Sequence, residues 1–440
     1  MYLAFRMRYL LFAVMLPATC ADLSLADAAK AALSGNPGLA SARQLESAAE
    51  ARLRAAATTR RPRIEWREST QAGNNPVYVF SSLLTQRQFR ESNFAINSLI
   101  RPDAVANFQT QIGVDQVIHD FGRTEARIKE ARIGRELTAQ ERRRRELEIL
   151  TQTARAYFGG QLATAAMKAA ESAIASITAT LEQAKALRAA GRATDADVLA
   201  VEVELASARE VLIRRTQQQT LAMAALNNAM GQPLETTHTL TTALTAPAEA
   251  TASVVIDRPE VRSAELAFAM ANTRVEQAKA MRRPEAGVRF VAEADRQRFV
   301  TRGAANWFAA ATLRWNLFDG GQSKQMEAEA ASTAAAARED ARVMRSAAEL
   351  QVKQADAAIA GAQARESVTA AVTGQAKETV RILKNRYGAG LATVTDVLRA
   401  EVALLDAETR RLAAIHDHRV ARIEREAAAG RLTGESNELQ

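Results

Sequence analysis

The sequence predicts a mixed membrane α+β fold, in which a duplicated helix-strand-strand-helix-helix unit supplies four strands per chain to a β-barrel shared between subunits. Three observations predict it. The chain repeats itself, the hydrophobic period switches from helical to two at matching places in both copies, and the helices are too long for a globular domain.

Composition agrees with long helices. Hydrophobic residues make up 48% of the 440 positions but aromatics only 5%, so the apolar share is largely alanine, which favours close helix packing over a bulky core. Nine prolines leave room for uninterrupted helices. Lys and Arg number 58 against 50 Asp and Glu, and the resulting +8 nominates no partner by itself. A single cysteine, Cys20, and four histidines, His119, His238, His416 and His418, exclude a disulfide scaffold and a multi-cysteine zinc site. No GxxxxGK, HExxH or GxSxG motif is present. The chain is therefore not expected to be an enzyme, nor to carry a metal or cofactor.

Residues 1–21 read as a signal peptide: Arg6 and Arg8 precede an apolar run from Tyr9 to Leu16, followed by the small-residue zone Pro17 to Ala21. Cleavage after Ala21 and lipidation of Cys20 are both open. No later run of 18 apolar residues exists, so any membrane crossing must use strands.

The repeat is visible in two registers. Asn36-Pro37 and Arg61-Pro62 are answered 222 positions later by Arg258-Pro259 and Arg283-Pro284. His119-Asp120-Phe121-Gly122 is answered 199 positions later by Phe318-Asp319-Gly320-Gly321, and Gly191, Thr194, Asp197 and Glu202 by Gly390, Thr393, Asp396 and Glu401. The first repeat spans 22–231, an equatorial linker 232–256, the second repeat 257–430 and a tail 431–440. The difference of 23 residues is an insertion between Pro62 and Asp120, which a surface loop absorbs cheaply.

Within the first copy, Ser24 caps a helix that runs to about residue 60, where Arg61-Pro62 ends it. Strands follow at 63–71, with Ile64 and Trp66, and at 108–118, with Phe108, Thr110, Ile112, Val114 and Ile118 alternating with polar neighbours. The second copy alternates through Val288, Phe290 and Ala292, and again from Trp307 to Leu317. Each strand is about ten residues, the length a tilted strand needs to cross a bilayer. Four cannot close a barrel, for which about eight is the smallest useful number, so several subunits must share one.

The next helix, about 122–188, would extend roughly 100 Å at 1.5 Å per residue. It is matched by the two shorter helices, 24–60 and 195–229, placed end to end, as 322–386 is matched by 257–282 and 394–428. The short helices meet at a waist, where the linker with Pro233 and Pro247 lies. Gly191 and Gly390 supply positive φ at the turns between helices.

The whole mature chain resembles the TolC-type outer membrane efflux proteins. The resemblance rests on the duplication, on the corners at Asp120 and Asp319, on Asn228-Ala229-Met230-Gly231 before the waist, and on the tip Arg386-Tyr387-Gly388-Ala389-Gly390-Leu391. The stretch from Asn75 through Phe94 is similar to a first external loop of that family. What the resemblance implies is a homotrimer with a 12-stranded barrel among outer-membrane lipid, continuous with a long periplasmic α-helical barrel. It implies an export duct working with a periplasmic adaptor protein and an inner-membrane pump of RND or ABC type. It places the gate at Asp197 and Tyr387, and at Asp396, with Arg399 standing where the family has a second ring aspartate. Adaptor docking falls on the tips Gly191, Arg192, Gly390 and Leu391. The two aspartates can equally cap or flank the helices after the turns, and both roles stay open.

Arg142 to Arg145 read as a salt-bridged helix face with Glu136, Glu141, Glu146 and Glu148, and nucleic acid is not an expected partner. His416 and His418, two apart, are not a metal pair. A periplasmic coiled-coil scaffold without a channel is the alternative to a duct.

Overall fold

A computed structural model describes residues 21–245, 256–300 and 303–439. Residues 1–20 of the signal segment, with Cys20, and Pro247 of the linker lie outside the described residues. In chain order the first copy runs β1 (Ala21–Leu23), α1 (Leu25–Gly35), α2 (Pro37–Ala57), β2 (Arg63–Gly73), α3 (Pro76–Thr85), α4 (Ile96–Ile100), β3 (Val105–His119), α5 (Arg123–Ala189) and α6 (Asp195–Met230). The linker holds β4 (His238–Leu240), and the second copy gives α7 (Pro259–Ala280), β5 (Glu285–Arg296), β6 (Ala304–Arg314), α8 (Gln322–Gly388) and α9 (Val394–Ala428). The two long helices, α5 and α8, have 67 residues each.

The helix expected over 24–60 is two helices. Pro37 has no N–H to continue α1, and Asn36 is held extended (φ −69°, ψ 121°). Pro37 opens α2 as Pro259 opens α7, so α1 is an addition and α2 is the true counterpart of α7.

By internal contacts the chain forms two compact units that each draw on both repeats. The first comprises residues up to 44, 140–262 and 344–440. Its core holds Tyr157 and Phe158 of α5 with Leu25 and Ala28 of α1, Met230 of α6, Ile423 of α9 and, from the end of the chain, Leu432 and Leu439. Each such large side chain contributes roughly 1.5–3 kcal/mol on full burial. The Tyr157 hydroxyl donates to the Leu23 carbonyl (2.8 Å) and accepts from the Thr242 amide (2.9 Å). It thereby fastens a short parallel ribbon in which β1 pairs with β4, Ala21 opposite His238.

The same unit contains the waist. Asn36 donates its side-chain amide to the Ala229 carbonyl at the end of α6 (3.0 Å), and the Asp257 amide donates to the Ala429 carbonyl just past α9 (3.0 Å). The end of α6 thus meets the start of α2, and the end of α9 the start of α7.

The second compact unit, 45–139 and 263–343, is built on one antiparallel sheet in the order β2-β3-β5-β6. The register aligns Trp66, Ile112, Ala292 and Trp307 in one row and Ile64, Val114, Phe290 and Ala309 in the next. Side chains alternate along each strand, so these rows share one face. Trp66 is 64% and Trp307 72% exposed there. Arg63, Arg67, Gln111, Asp115, Arg289 and Glu293 alternate onto the other face. The strand expected to reach Leu317 stops at Arg314, opposite Glu285, because Pro284 before it has no N–H to offer. Trp315 turns away and donates its indole N–H to the Arg282 carbonyl (3.0 Å).

The insertion is helical rather than a bare loop. Asn75 caps α3 through the Val77 amide (3.0 Å), and Phe80, Phe89 and Phe94 pack edge to face. Gln86 bonds Asn107 (2.9 Å), which donates to the buried Asp295 (2.7 Å), tying the insertion to the sheet.

Candidate functional site

Four glycines close the ends of the long and short helices in the same way. Gly191, Gly390, Gly231 and Gly430 all have φ between 71° and 76°, and the residue after each donates back five positions. Arg192 donates to the Leu187 carbonyl and Leu391 to Arg386, both at 2.8 Å. Only glycine adopts this left-handed φ without cost, which is why the repeat retains it.

Each tip is followed by a threonine N-cap. The Thr194 hydroxyl accepts from the Asp197 amide (3.2 Å) and the Asp197 carboxylate accepts from the Thr194 amide (2.8 Å). Thr393 and Asp396 repeat the arrangement at 3.2 and 3.1 Å. These are capping boxes, with threonine at the N-cap and aspartate three residues on. The hydrogen bond from Thr393 holds the Asp396 carboxyl below the 3.8 of a free aspartate, helped by the charges of Arg399 and Arg386. Folding therefore gains from Asp396 above the free-aspartate range and loses that gain as pH falls through the lowered value. Thr194→Ala and Thr393→Ala are each expected to cost about 1 kcal/mol. Thermal unfolding of the single and double variants checks this, and additive shifts are expected because the boxes share no partner.

Tyr387 is 6% exposed, in a tip core with Leu181, Ala184, Val198, Val201 and Leu398. Burial, and then the negative charge of Asp197, push its phenol up. The structure brings Tyr387 and Asp197 within electrostatic reach. Among the described residues the Tyr387 hydroxyl has no hydrogen-bond partner. Arg192 lies beside Gly390, so a Cβ there would sit 3.2 Å from its guanidinium, while Leu391 is exposed. The tip residues of the two copies are therefore neighbours.

Behind the tips lies a cluster that sequence reasoning missed. Glu401 of α9, 5% exposed, pairs with Lys384 of α8 (2.8 Å) and accepts from Ser176 (3.0 Å) and Thr180 (3.2 Å) of α5. Its Oε2 has no partner among the described residues. Glu202, which matches Glu401 in the repeat, is exposed. The match in register was visible, but which copy turns its carboxylate inward was not.

The strand-to-helix corners are built alike. Asp120 accepts from the Gly122 (3.3 Å) and Thr124 (2.7 Å) amides, and Asp319 from the Gly321 (3.0 Å) and Ser323 (2.9 Å) amides, which caps α5 and α8. Phe121 stands at φ 51° where the second copy has Gly320, an unusual conformation for a bulky residue. Arg123 secures the first corner through Glu285 (3.1 Å) and the carbonyls of Ala280, Met281 and Arg283.

The arginine run 142–145 and the histidines His416 and His418 are held in local pairs. Arg142 pairs with Glu146, Arg143 with Asp257, Arg144 with Glu141 and Glu148, and Arg145 with Glu148. His418 bonds Glu366 (2.7 Å) and His416 bonds Asp417 (3.2 Å). Among the described residues no cluster of metal-ligating side chains occurs, and no helix is long and apolar enough to cross a membrane.

The sequence matches the family described as outer membrane efflux protein over residues 28–232 and 253–431. The chain belongs to that family. No curated protein matches the sequence. Among solved structures, this outer membrane efflux protein is similar to the Campylobacter jejuni CmeC outer membrane channel, at 14% identity and a TM-score of 0.79, over 94% of this chain and 87% of that one. It is similar to the Vibrio cholerae outer membrane protein VceC at 19% identity and a TM-score of 0.76, over 92% and 96% of the two chains. The open state of the Neisseria gonorrhoeae MtrE outer membrane channel matches at 19% identity and 0.74, over 93% and 89%. The likeness covers more than nine tenths of this chain in each case, and the family places the protein in the outer membrane, among efflux channels.

Proposed function

We propose that three copies of this outer membrane efflux protein pool their sheets into a 12-stranded barrel and their helices into a periplasmic tunnel, forming an export duct. The observation that carries this is the sheet. One face exposes tryptophan and phenylalanine, the other carries charge, and among the described residues β2 and β6 each have only one strand neighbour. An open sheet with an apolar face and two bare edges is unstable in water and impossible in lipid. Closure with further copies removes the edges and turns the apolar face to outer-membrane lipid.

In this reading the tips at Asp197, Tyr387, Asp396 and Arg399 form the gate, and Gly191, Arg192, Gly390 and Leu391 meet a periplasmic adaptor that joins an inner-membrane pump of RND or ABC type. The duct performs no chemistry. Arg399 stands one helical turn from Asp396 and offsets its charge. Arg399→Asp is accordingly expected to raise cation selectivity and divalent block, measured as reversal potential and current in planar bilayers. An unmoved reversal potential would count against a constriction at this level.

The deciding experiment is native mass of detergent-extracted protein, unheated against heated, together with single-channel conductance. A heat-sensitive trimer that conducts is expected. A non-conducting monomer would favour the coiled-coil scaffold instead.

A further inference from the structure

Charge is distributed unevenly along the polar face of the sheet. At the strand ends next to the corners, a cavity of about 830 Å³ is lined by Arg61, Arg63, Arg289 and Arg314, with Asp115 as the only carboxylate among its lining residues. Asp115 sits 3.6 Å from Arg289, and Arg63 reaches Glu65 only at 4.0 Å. Arg61 and Arg314 are exposed and have no carboxylate partner within ion-pair distance among the described residues. Among the lining residues four arginines stand against one aspartate, and the bordering carboxylates Glu65 and Glu285 are already held by Arg67 (2.8 Å) and Arg123 (3.1 Å). At the opposite strand ends the polar face carries Glu293 and Asp295, the latter already occupied by Asn107.

Clustered guanidiniums with too few carboxylates form a seat for an anion. Their planar fork matches phosphate, sulfate and carboxylate oxygens, and a concave wall of one sign concentrates the opposite ion. The apolar rows lie on the other face of the same strands, so Arg63, Arg289 and Arg314 face whatever the polar face encloses, and Arg61 lines the same cavity just before β2. We propose that Arg61, Arg63, Arg289 and Arg314 form an anion-binding belt on the pore wall that selects for multivalent anionic solutes. The proposal rests on the duct reading, in which the polar face lines a water-filled bore and the belt recurs in each copy.

Inorganic pyrophosphate is a suitable probe in planar bilayers holding the full-length trimer. Added on the barrel side, it is expected to block the wild-type current. The triple variant Arg63→Gln/Arg289→Gln/Arg314→Gln is expected to need roughly tenfold more pyrophosphate for the same block. The corresponding triple Arg→Lys variant, which keeps the charge, retains most of it. Where the glutamine triple does not assemble, the exposed single change Arg314→Gln is expected to weaken block about two- to threefold. Unblocked wild-type current, or equal block of wild type and conducting glutamine variants, would overturn the belt while leaving the duct intact. A trimer that conducts nothing overturns the duct reading, and the belt with it.

Discussion

Lys384→Met is expected to loosen the helix tips by about 3–5 kcal/mol, because it strands a buried carboxylate. The Glu401 side chain is only 3% exposed, and Lys384 is its sole charged partner among the described residues. Ser176 and Thr180 supply hydrogen bonds but no countercharge, and Oε2 already lacks a donor. Removing both charges is a different matter. Replacing an entire buried pair with apolar groups is often neutral or stabilising, so Lys384→Met/Glu401→Leu is expected to recover most of the loss. Amide exchange reads the tips directly, because it reports local opening of the segments that carry the pair. Amide exchange across 174–187 and 380–401 should accelerate by roughly a hundredfold or more in Lys384→Met, and return near wild type in the double variant. Equal exchange in wild type and Lys384→Met would mean that water reaches Glu401 and that the pair does not hold the tips.

How far the sequence disclosed this arrangement depends on the range over which each feature is encoded. The strand pairs and the long helices are written in periodicity over tens of residues, and they appear within a few positions of where they were expected. The ends of helices were legible where one residue type dictates them, as glycine does at 191 and 390. Asn36-Pro37 carried the same signal as Arg258-Pro259 and was overridden by the helical pattern on both sides of it. The ribbon of β1 and β4 has three residues per strand, too few for a period, and is fixed by the distant Tyr157 hydroxyl. At the tips, Asp197 and Asp396 were conspicuous, but their threonine partners explain their local geometry as capping boxes. Glu401 illustrates the limit. It and Glu202 occupy equivalent positions in the repeat, and only the packing of α5 against α8 and α9 buries one and not the other.

Gly430→Ala is expected to cost about 2–5 kcal/mol, combining left-handed backbone strain with a steric collision at the waist. Gly430 has φ 75°, and a Cβ there would run into the carbonyl of Asp257 and press on the Cα of Arg258. Both are backbone groups just before Pro259, where α7 begins, and backbone cannot rotate aside as a side chain can. Gly231 repeats the situation against Gly35 and Asn36, before Pro37. The tip glycine Gly191 provides the control, since its φ of 71° is equivalent but a Cβ would meet nothing within 4 Å. Gly191→Ala should therefore show the backbone term alone, about 1–2 kcal/mol. The three variants share one conformation and differ in space, so their thermal midpoints separate strain from packing. Gly231→Ala and Gly430→Ala should both melt well below Gly191→Ala. Equal midpoints would mean that the short helices are not butted end to end tightly enough for a methyl group to matter, and that the waist is held by the Tyr157 core instead.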